Sequence, residues 1–271
     1  MARPISLAAL TVLELTPPEM VMCAAEAGFS HVGIRLLPAT PTEPQYDIVG
    51  DTPMLREVEA RLADTGVKVL DAEIFRMKPE LKVADYEAVI ATAARLGASE
   101  LLVAGNDPDD ARQIESFAAF CELADSYGLG AMLEFMPWTE AKDLRQAARI
   151  VERCGRENAG VLIDPFHFSR SRSSIEDIAS IPASRLRYMQ FCDVPAEIPP
   201  TMEAILDQAR AERLFPGEGG VDLAGLLRAV PPDIPLSLEV PTHTLARTVG
   251  ATERARRAMA ATMRVLAQLE A

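Results

Sequence analysis

The segment Ala124-Asp125-Ser126-Tyr127-Gly128-Leu129-Gly130-Ala131-Met132-Leu133-Glu134 decides the fold. A helix end runs into Gly128, placed where a chain leaving a helix needs positive φ. A short apolar run follows and closes on one carboxylate. The same order recurs upstream. Ala24-Ala25-Glu26-Ala27-Gly28 precedes His31-Val32-Gly33-Ile34-Arg35-Leu36, Leu62-Ala63-Asp64-Thr65-Gly66 precedes Val67 to Glu73, and Ala94-Arg95-Leu96-Gly97 precedes Leu101-Leu102-Val103-Ala104. The glycines at 28, 66, 97 and 128 are spaced by 38, 31 and 31 residues, one helix–strand unit per repeat.

Downstream the unit continues less regularly. Val161-Leu162-Ile163-Asp164, Leu186 to Phe191 and Leu236 to Val240 read as strands six to eight, Ile5 to Leu10 as the first, and Thr252 to Ala271 as a closing helix. Thr16 with Pro17 marks a helix start, and Ser173 with Glu176 has capping-box spacing, before a helix that Ser174 would begin. Eight strands in 271 residues make about 34 residues per unit, the size of a βα repeat. Strands alternating with helices require a parallel sheet, and eight units close into a (β/α)8 TIM barrel, here one domain over 1–271. No GxGxxG follows the first strand, which disfavours an open dinucleotide-binding sheet.

Composition narrows the function classes. Forty acidic against 27 basic residues give −13 at pH 7, so polyanions and anionic membranes meet net repulsion, and neither nucleic acid nor a membrane is expected as a partner. No run approaches the roughly 18 apolar residues of a membrane span, and the opening segment lacks the pattern of a secretory signal. Four scattered cysteines without a CxxC pair read as reduced core residues, and the expected location is cytoplasmic.

Barrel active sites form at the C-terminal ends of the strands. Strand five ends on Glu134, strand six on Asp164 with His167 three residues on, strand seven carries Gln190, and strand eight ends on Glu239. A single buried carboxylate without a partner costs several kcal/mol. Three around one barrel mouth are accounted for by a shared cation. Glu134, Asp164, Gln190 and Glu239 would supply only oxygen donors, a set that favours Mn²⁺ or Mg²⁺, with Co²⁺ or Zn²⁺ as further candidates. His167 can act as acid or base, or support the ligands. His31 lies at the opposite rim. Arg35 ends strand two, Arg76 and Lys78 follow strand three, and Arg213 precedes Phe215-Pro216-Gly217-Glu218-Gly219. These cations balance the carboxylates or bind an anionic group of a small-molecule substrate. Trp138 would wall the pocket.

Leu133-Glu134-Phe135, Ile163-Asp164-Pro165-Phe166-His167, Met189 to Asp193, Arg213 with Pro216-Gly217-Glu218-Gly219, and Leu238-Glu239-Val240 together resemble the xylose isomerase-like TIM barrels of the sugar phosphate isomerase/epimerase superfamily. The resemblance implies one divalent metal on Glu134, Asp164, Gln190 and Glu239, His167 beside it, and Arg213 on the substrate. Relatives commonly have histidine at the place of Gln190, although some dehydratases have glutamine, and commonly glutamate at the place of Arg35. It also allows a homo-oligomer.

The expected activity is an isomerase or epimerase for a sugar or related hydroxy-carbonyl compound, with Glu134 and Glu239 as the acid/base pair. The alternative is a dehydratase of the dehydroshikimate or inosose type, with His167 as base. An endonuclease IV-like activity needs a histidine-rich three-zinc cluster that three histidines cannot furnish. A non-catalytic binding barrel is the remaining reading. Substrate choice is expected to lie in loops 76–85 and 195–220.

Overall fold

The computed structural model describes residues 3–269. Met1, Ala2, Glu270 and Ala271, the ends of the expected domain and of its closing helix, lie outside the described residues. The strands are β1 (Ile5–Leu7), β2 (His31–Arg35), β3 (Lys68–Met77), β4 (Glu100–Gly105), β5 (Gly130–Glu134), β6 (Ala159–Leu162), β7 (Met189–Phe191) and β8 (Leu236–Leu238). The helices up to β6 are α1 (Pro17–Ala27), α2 (Pro53–Thr65), α3 (Glu87–Arg95), α4 (Asp110–Asp125) and α5 (Leu144–Cys154). After β6 come α6 (Pro165–Arg170), α7 (Ile175–Ile178), α8 (Met202–Ala211), α9 (Leu223–Ala229), α10 (His243–Ala246) and α11 (Ala251–Leu269).

The eight strands form one sheet in the order β6-β5-β4-β3-β2-β1-β8-β7, with every paired neighbour parallel. It closes through a bridge between Ile163 and Met189, where the Gln190 N–H donates to the Ile163 carbonyl at 3.0 Å. The (β/α)8 barrel is therefore realised, with its narrowest seam between β6 and β7. The four repeat glycines have φ from +73° to +86°, the left-handed region that side chains with a Cβ avoid. Thr16 starts α1 as expected, and the Glu19 carboxylate accepts from its backbone N–H (2.8 Å) and hydroxyl (2.7 Å).

Most of the core lies between the sheet and the helices. A smaller cluster fills the lumen: Leu70, Ile74, Leu102, Ala104, Met132, Met136, Leu162 and Tyr188. All four cysteines are free and buried.

Several expected boundaries shift. β1 stops at Leu7 because Thr11, in the 3₁₀ turn Ala9–Val12, turns back onto β8. Its hydroxyl donates to the Leu238 carbonyl at 2.7 Å and accepts from the Val240 N–H at 2.8 Å. The cap of α7 is Ser174, whose Oγ accepts from the Glu176 N–H, while Ser173 accepts from the Leu144 N–H at the start of α5. β3 runs four residues past Glu73, so Arg76 lies inside the strand rather than after it. His167 and Arg170 sit on α6 rather than on an open turn.

Candidate active site

β5 to β8 deliver the four expected residues to one rim. Glu134 is the last residue of β5, Asp164 lies just beyond β6, Gln190 is central in β7, and Glu239 follows β8. All four are at most 4% exposed. Asp164 also caps α6, its Oδ1 accepting from the Phe166 N–H at 2.6 Å. The Thr11 clamp, which bonds the backbone on either side of Glu239, fixes that carboxylate from below.

Within the rim, Glu134, Asp164 and His167 bring one donor atom each within 4.8 Å of one another, a grouping able to hold a divalent cation. Glu134 Oε1 and Gln190 Oε1 are buried and accept no hydrogen bond. Both are electron-rich oxygens without a hydrogen-bond donor, and Glu134 lines the pocket, where a cation would satisfy it. Gln190 and Glu239 are joined side chain to side chain, Nε2 donating to Oε1 at 3.0 Å.

Arg213 complicates the expected ligand set. It reaches into the rim from the segment after α8, donating to Asp164 Oδ2 at 2.7 Å and pairing with Glu239 Oε2 at 2.8 Å. Its Nε donates to the Ala209 carbonyl at 2.9 Å, and its guanidinium lies 4.9 Å from the Phe166 ring centroid. Two of the four expected ligands are thus bound by an internal cation, while Glu134 and Gln190 keep free oxygens. Glu239, an expected ligand, lies outside the Glu134–Asp164–His167 grouping, and the residues fit a metal that shares Asp164 with Arg213. The Arg213 segment is itself anchored. The Asp193 carboxylate accepts from the N–H groups of Val194, Gly217, Gly219 and Val221 at 2.8 to 3.2 Å. A Cβ on Gly219 would collide with that carboxylate, so glycine is required there.

The charges follow this arrangement. Burial pushes Glu134 well above the ordinary carboxylate range, helped by Glu239 and Asp164. Burial also raises Glu239, to about 7, against the pull of Arg213. Burial works the same way on Asp164, but Arg213, His167 and the Phe166 N–H outweigh it and hold the carboxyl low. Burial drives His167 down to about 3, so the imidazole is neutral at pH 7. Its Nε2 lies 3.5 Å from Glu134 Oε1 and 3.8 Å from Asp164 Oδ2, its Nδ1 has no hydrogen-bond partner, and the Trp138 ring stands edge-on at 5.0 Å.

The pocket above the rim is lined by Arg35, Arg76, Trp138, Arg210 and Arg213 together with Glu43, Glu73, Glu134, His167 and Glu239. Arg35 is engaged on its own side, with Glu43 at 3.0 Å and Glu73 at 3.4 Å. Reading strand ends in the sequence missed Glu73, Asp71 and Arg210. The first two are buried inside β3, where burial and then Glu73 push Asp71 far above the carboxylate range. The two carboxylates in an otherwise apolar Val69 to Ile74 run were the available signal. Arg210 carried none.

Comparison with known proteins agrees with the barrel fold. The family model described as xylose isomerase-like TIM barrel matches residues 23–269. The 3-dehydroshikimate dehydratase of Pseudomonas aeruginosa is 29% identical over 241 residues, 83% of this chain, but the chain spans only 36% of that relative's length. An inosose isomerase of Bacillus velezensis is 29% identical over 118 residues, 43% of this chain and 40% of the relative. Among solved structures, the IolI protein with a bound zinc atom superposes with a TM-score of 0.81 at 18% identity, covering 98% of this chain and 99% of that one. A fusion of a xylose isomerase-like TIM barrel with a 4-hydroxyphenylpyruvate dioxygenase superposes at 0.82 and 23% identity, covering 99% of this chain and 43% of that one. At these identities the superpositions speak for the fold alone. Among the described residues no helix is long and apolar enough to cross a membrane. With the family model spanning all but the first strand and part of α1, this chain belongs to the xylose isomerase-like TIM barrel family.

Proposed function

We propose that the chain is a divalent-metal-dependent enzyme that removes a proton beside the carbonyl of a small hydroxy-carbonyl compound and expels a β-hydroxyl as water. The observation that carries this reading is the pair of buried, unpartnered oxygens, Glu134 Oε1 and Gln190 Oε1, beside Asp164 and His167 under an arginine-lined pocket. Elimination moves ahead of isomerisation or epimerisation for two reasons. The relative matched over most of the chain is named a dehydratase, and glutamine rather than histidine stands at position 190.

Glu134, Asp164, Gln190 and Glu239 would hold the ion, Mn²⁺ or Mg²⁺ ahead of Co²⁺ or Zn²⁺ on their oxygen donors. When bound, such an ion polarises the substrate carbonyl and acidifies the adjacent C–H. His167, neutral through burial and fixed against Trp138, accepts that proton. The proton taken up by His167 is then passed to the departing hydroxyl, so one water leaves for each double bond formed. Trp138 walls the ring of the substrate, and Arg213, Arg35 and Arg76 surround it with positive potential. For a 3-dehydroshikimate-type ring, loss of water followed by enolisation gives a catechol. A second reading, isomerisation or epimerisation, is favoured by one observation: Glu134 and Glu239 line the same pocket, and Glu239 is near enough to disfavour ionisation of Glu134.

The test is incubation of Mn²⁺-loaded protein in D₂O with 3-dehydroshikimate, an inosose and a ketose. Absorbance growth with the first substrate and its loss by about 100- to 10,000-fold in His167→Asn are expected. Deuterium uptake without a conjugated product would transfer the assignment to the isomerase reading. Neither label nor absorbance with Mn²⁺, Mg²⁺, Co²⁺ or Zn²⁺ would remove both.

A further inference from the structure

Four arginines reach the pocket, and they are not equivalent. Arg213 is held between Asp164 and Glu239, and Arg35 between Glu43 and Glu73. Arg213 is engaged at all three nitrogens, and Arg35 has both terminal nitrogens in ion pairs and keeps only its buried Nε unpartnered. Arg76 contacts only neutral oxygens at long range, Asn106 Oδ1 at 3.4 Å and the Ala39 carbonyl at 3.3 Å. Arg210, on the exposed side of α8, makes no side-chain hydrogen bond or ion pair among the described residues. The two unengaged guanidiniums face the same hollow from β3 and from α8. Burial, and the positive charges of Arg35 and Arg210, disfavour the Arg76 cation, whereas Glu134 supports it. Like charges brought to one pocket, with no carboxylate in ion-pair contact with either among the described residues, are relieved by an anion from outside.

We infer that Arg76 and Arg210 together form a carboxylate-binding part of the pocket that also holds Glu134 and His167. The inference rests on the reading of this site as one for a hydroxy-carbonyl substrate. The site is then bipolar: oxygen donors and the imidazole take the carbonyl and hydroxyl groups, Trp138 flanks the body of the molecule, and the two arginines fix the carboxylate. No lysine is among the residues lining the hollow, and a planar guanidinium fork pairs with both oxygens of a carboxylate. Arg35 and Arg213 become positioning residues for Glu73, Asp164 and Glu239 in this arrangement, and substrate selection falls to Arg76 and Arg210.

Isothermal titration of the Mn²⁺-loaded chain with 3,4-dihydroxybenzoate and with catechol tests this without turnover. The two ligands share the ring and the vicinal hydroxyls and differ by one carboxylate. The wild-type protein is expected to favour the acid by about 10- to 100-fold, the range of one or two charge-assisted hydrogen bonds. Arg76→Gln and Arg210→Gln should each remove most of that preference while catechol affinity stays within about twofold. Arg76→Lys, which keeps the charge without the fork, should retain part of it and covers the case in which Arg76→Gln misfolds. Equal affinity of the wild type for both ligands, binding of neither, or parallel losses for both in the variants would each overturn the inference. An arginine-dependent preference in a protein that turns over no hydroxy-carbonyl substrate would uphold the inference and defeat the proposed reaction.

Discussion

The two walls of the barrel mouth solve the problem of buried charge in different ways. On the wall built by β2 and β3, Glu73 and Glu43 share a resident cation, Arg35 pairing with Glu73 at 3.4 Å and with Glu43 at 3.0 Å, while burial keeps the neighbouring Asp71 carboxyl raised far above the carboxylate range. On the wall built by β5 to β8, Asp164 and Glu239 share Arg213, and Glu134 Oε1 and Gln190 Oε1 have nothing. The first wall carries its own cation, Arg35, whereas on the second Glu134 has no arginine or lysine in ion-pair contact among the described residues. Charges that the fold itself satisfies belong to the scaffold, and charges it leaves open belong to chemistry.

Arg213→Met breaks this comparison most sharply. It removes the only arginine or lysine paired with Asp164 and Glu239 among the described residues and leaves two carboxylates buried at 0% and 4% exposure. Stripping one partner from a buried ion pair costs about 3–5 kcal/mol. Urea denaturation in the presence of a chelator is expected to show that loss, and Mn²⁺ is expected to restore more stability to the variant than it adds to the wild-type protein. An identical Mn²⁺ increment in the two proteins would show that Arg213 and the ion do not share ligands.

Arg35→Gln provides the contrasting measurement. Glu73 keeps its place in the barrel with 2% side-chain exposure and loses its cation, at a cost of about 2–4 kcal/mol. Mn²⁺ should recover none of this, while the double change Arg35→Gln with Glu73→Gln should recover a good part, since both charges are then gone. Rescue by Mn²⁺ would erase the distinction between the walls.

The same contrast explains what could be read from the sequence. β5 to β8 are three to five residues long, so a lone Glu, Asp or Gln in or just beyond each run marks the rim directly. The repeat glycines were legible because a left-handed exit from a helix leaves few alternatives. β3 is ten residues long, and its register against β2 shifts between Val32 and Gly33 and against β4 between Ala72 and Phe75. Such irregularities break the period-two alternation on which strand reading depends, so Asp71, Glu73 and Arg76 could not be assigned a face. Arg213 was legible as a rim residue but its partners were not, because Asp164 lies 49 residues away and only the turn after α8 brings them together. Arg210 looks like any arginine on an exposed helix until the pocket is assembled.

Glu100 supplies the smallest effect and extends the comparison to the far end of the barrel. It begins β4, its Oε1 lies 3.6 Å from Arg187 Nη1, and its Oε2 has no partner. Burial raises its carboxyl from 4.5 to about 7 and Arg187 only partly opposes that. A carboxyl raised by folding holds its proton more tightly in the native state, so its contribution to stability is fully present below about pH 4.5 and is lost as the pH climbs through 7. Glu100→Gln deletes this slope. Melting temperatures of the two proteins should nearly coincide at pH 4 and diverge above pH 7, the variant melting higher by about 2–5 °C at pH 8. A variant that instead melts lower at pH 8 would mean that Arg187 stabilises the ionised carboxylate after all, and that this end of the barrel, like the β2–β3 wall, carries its own counter-ion.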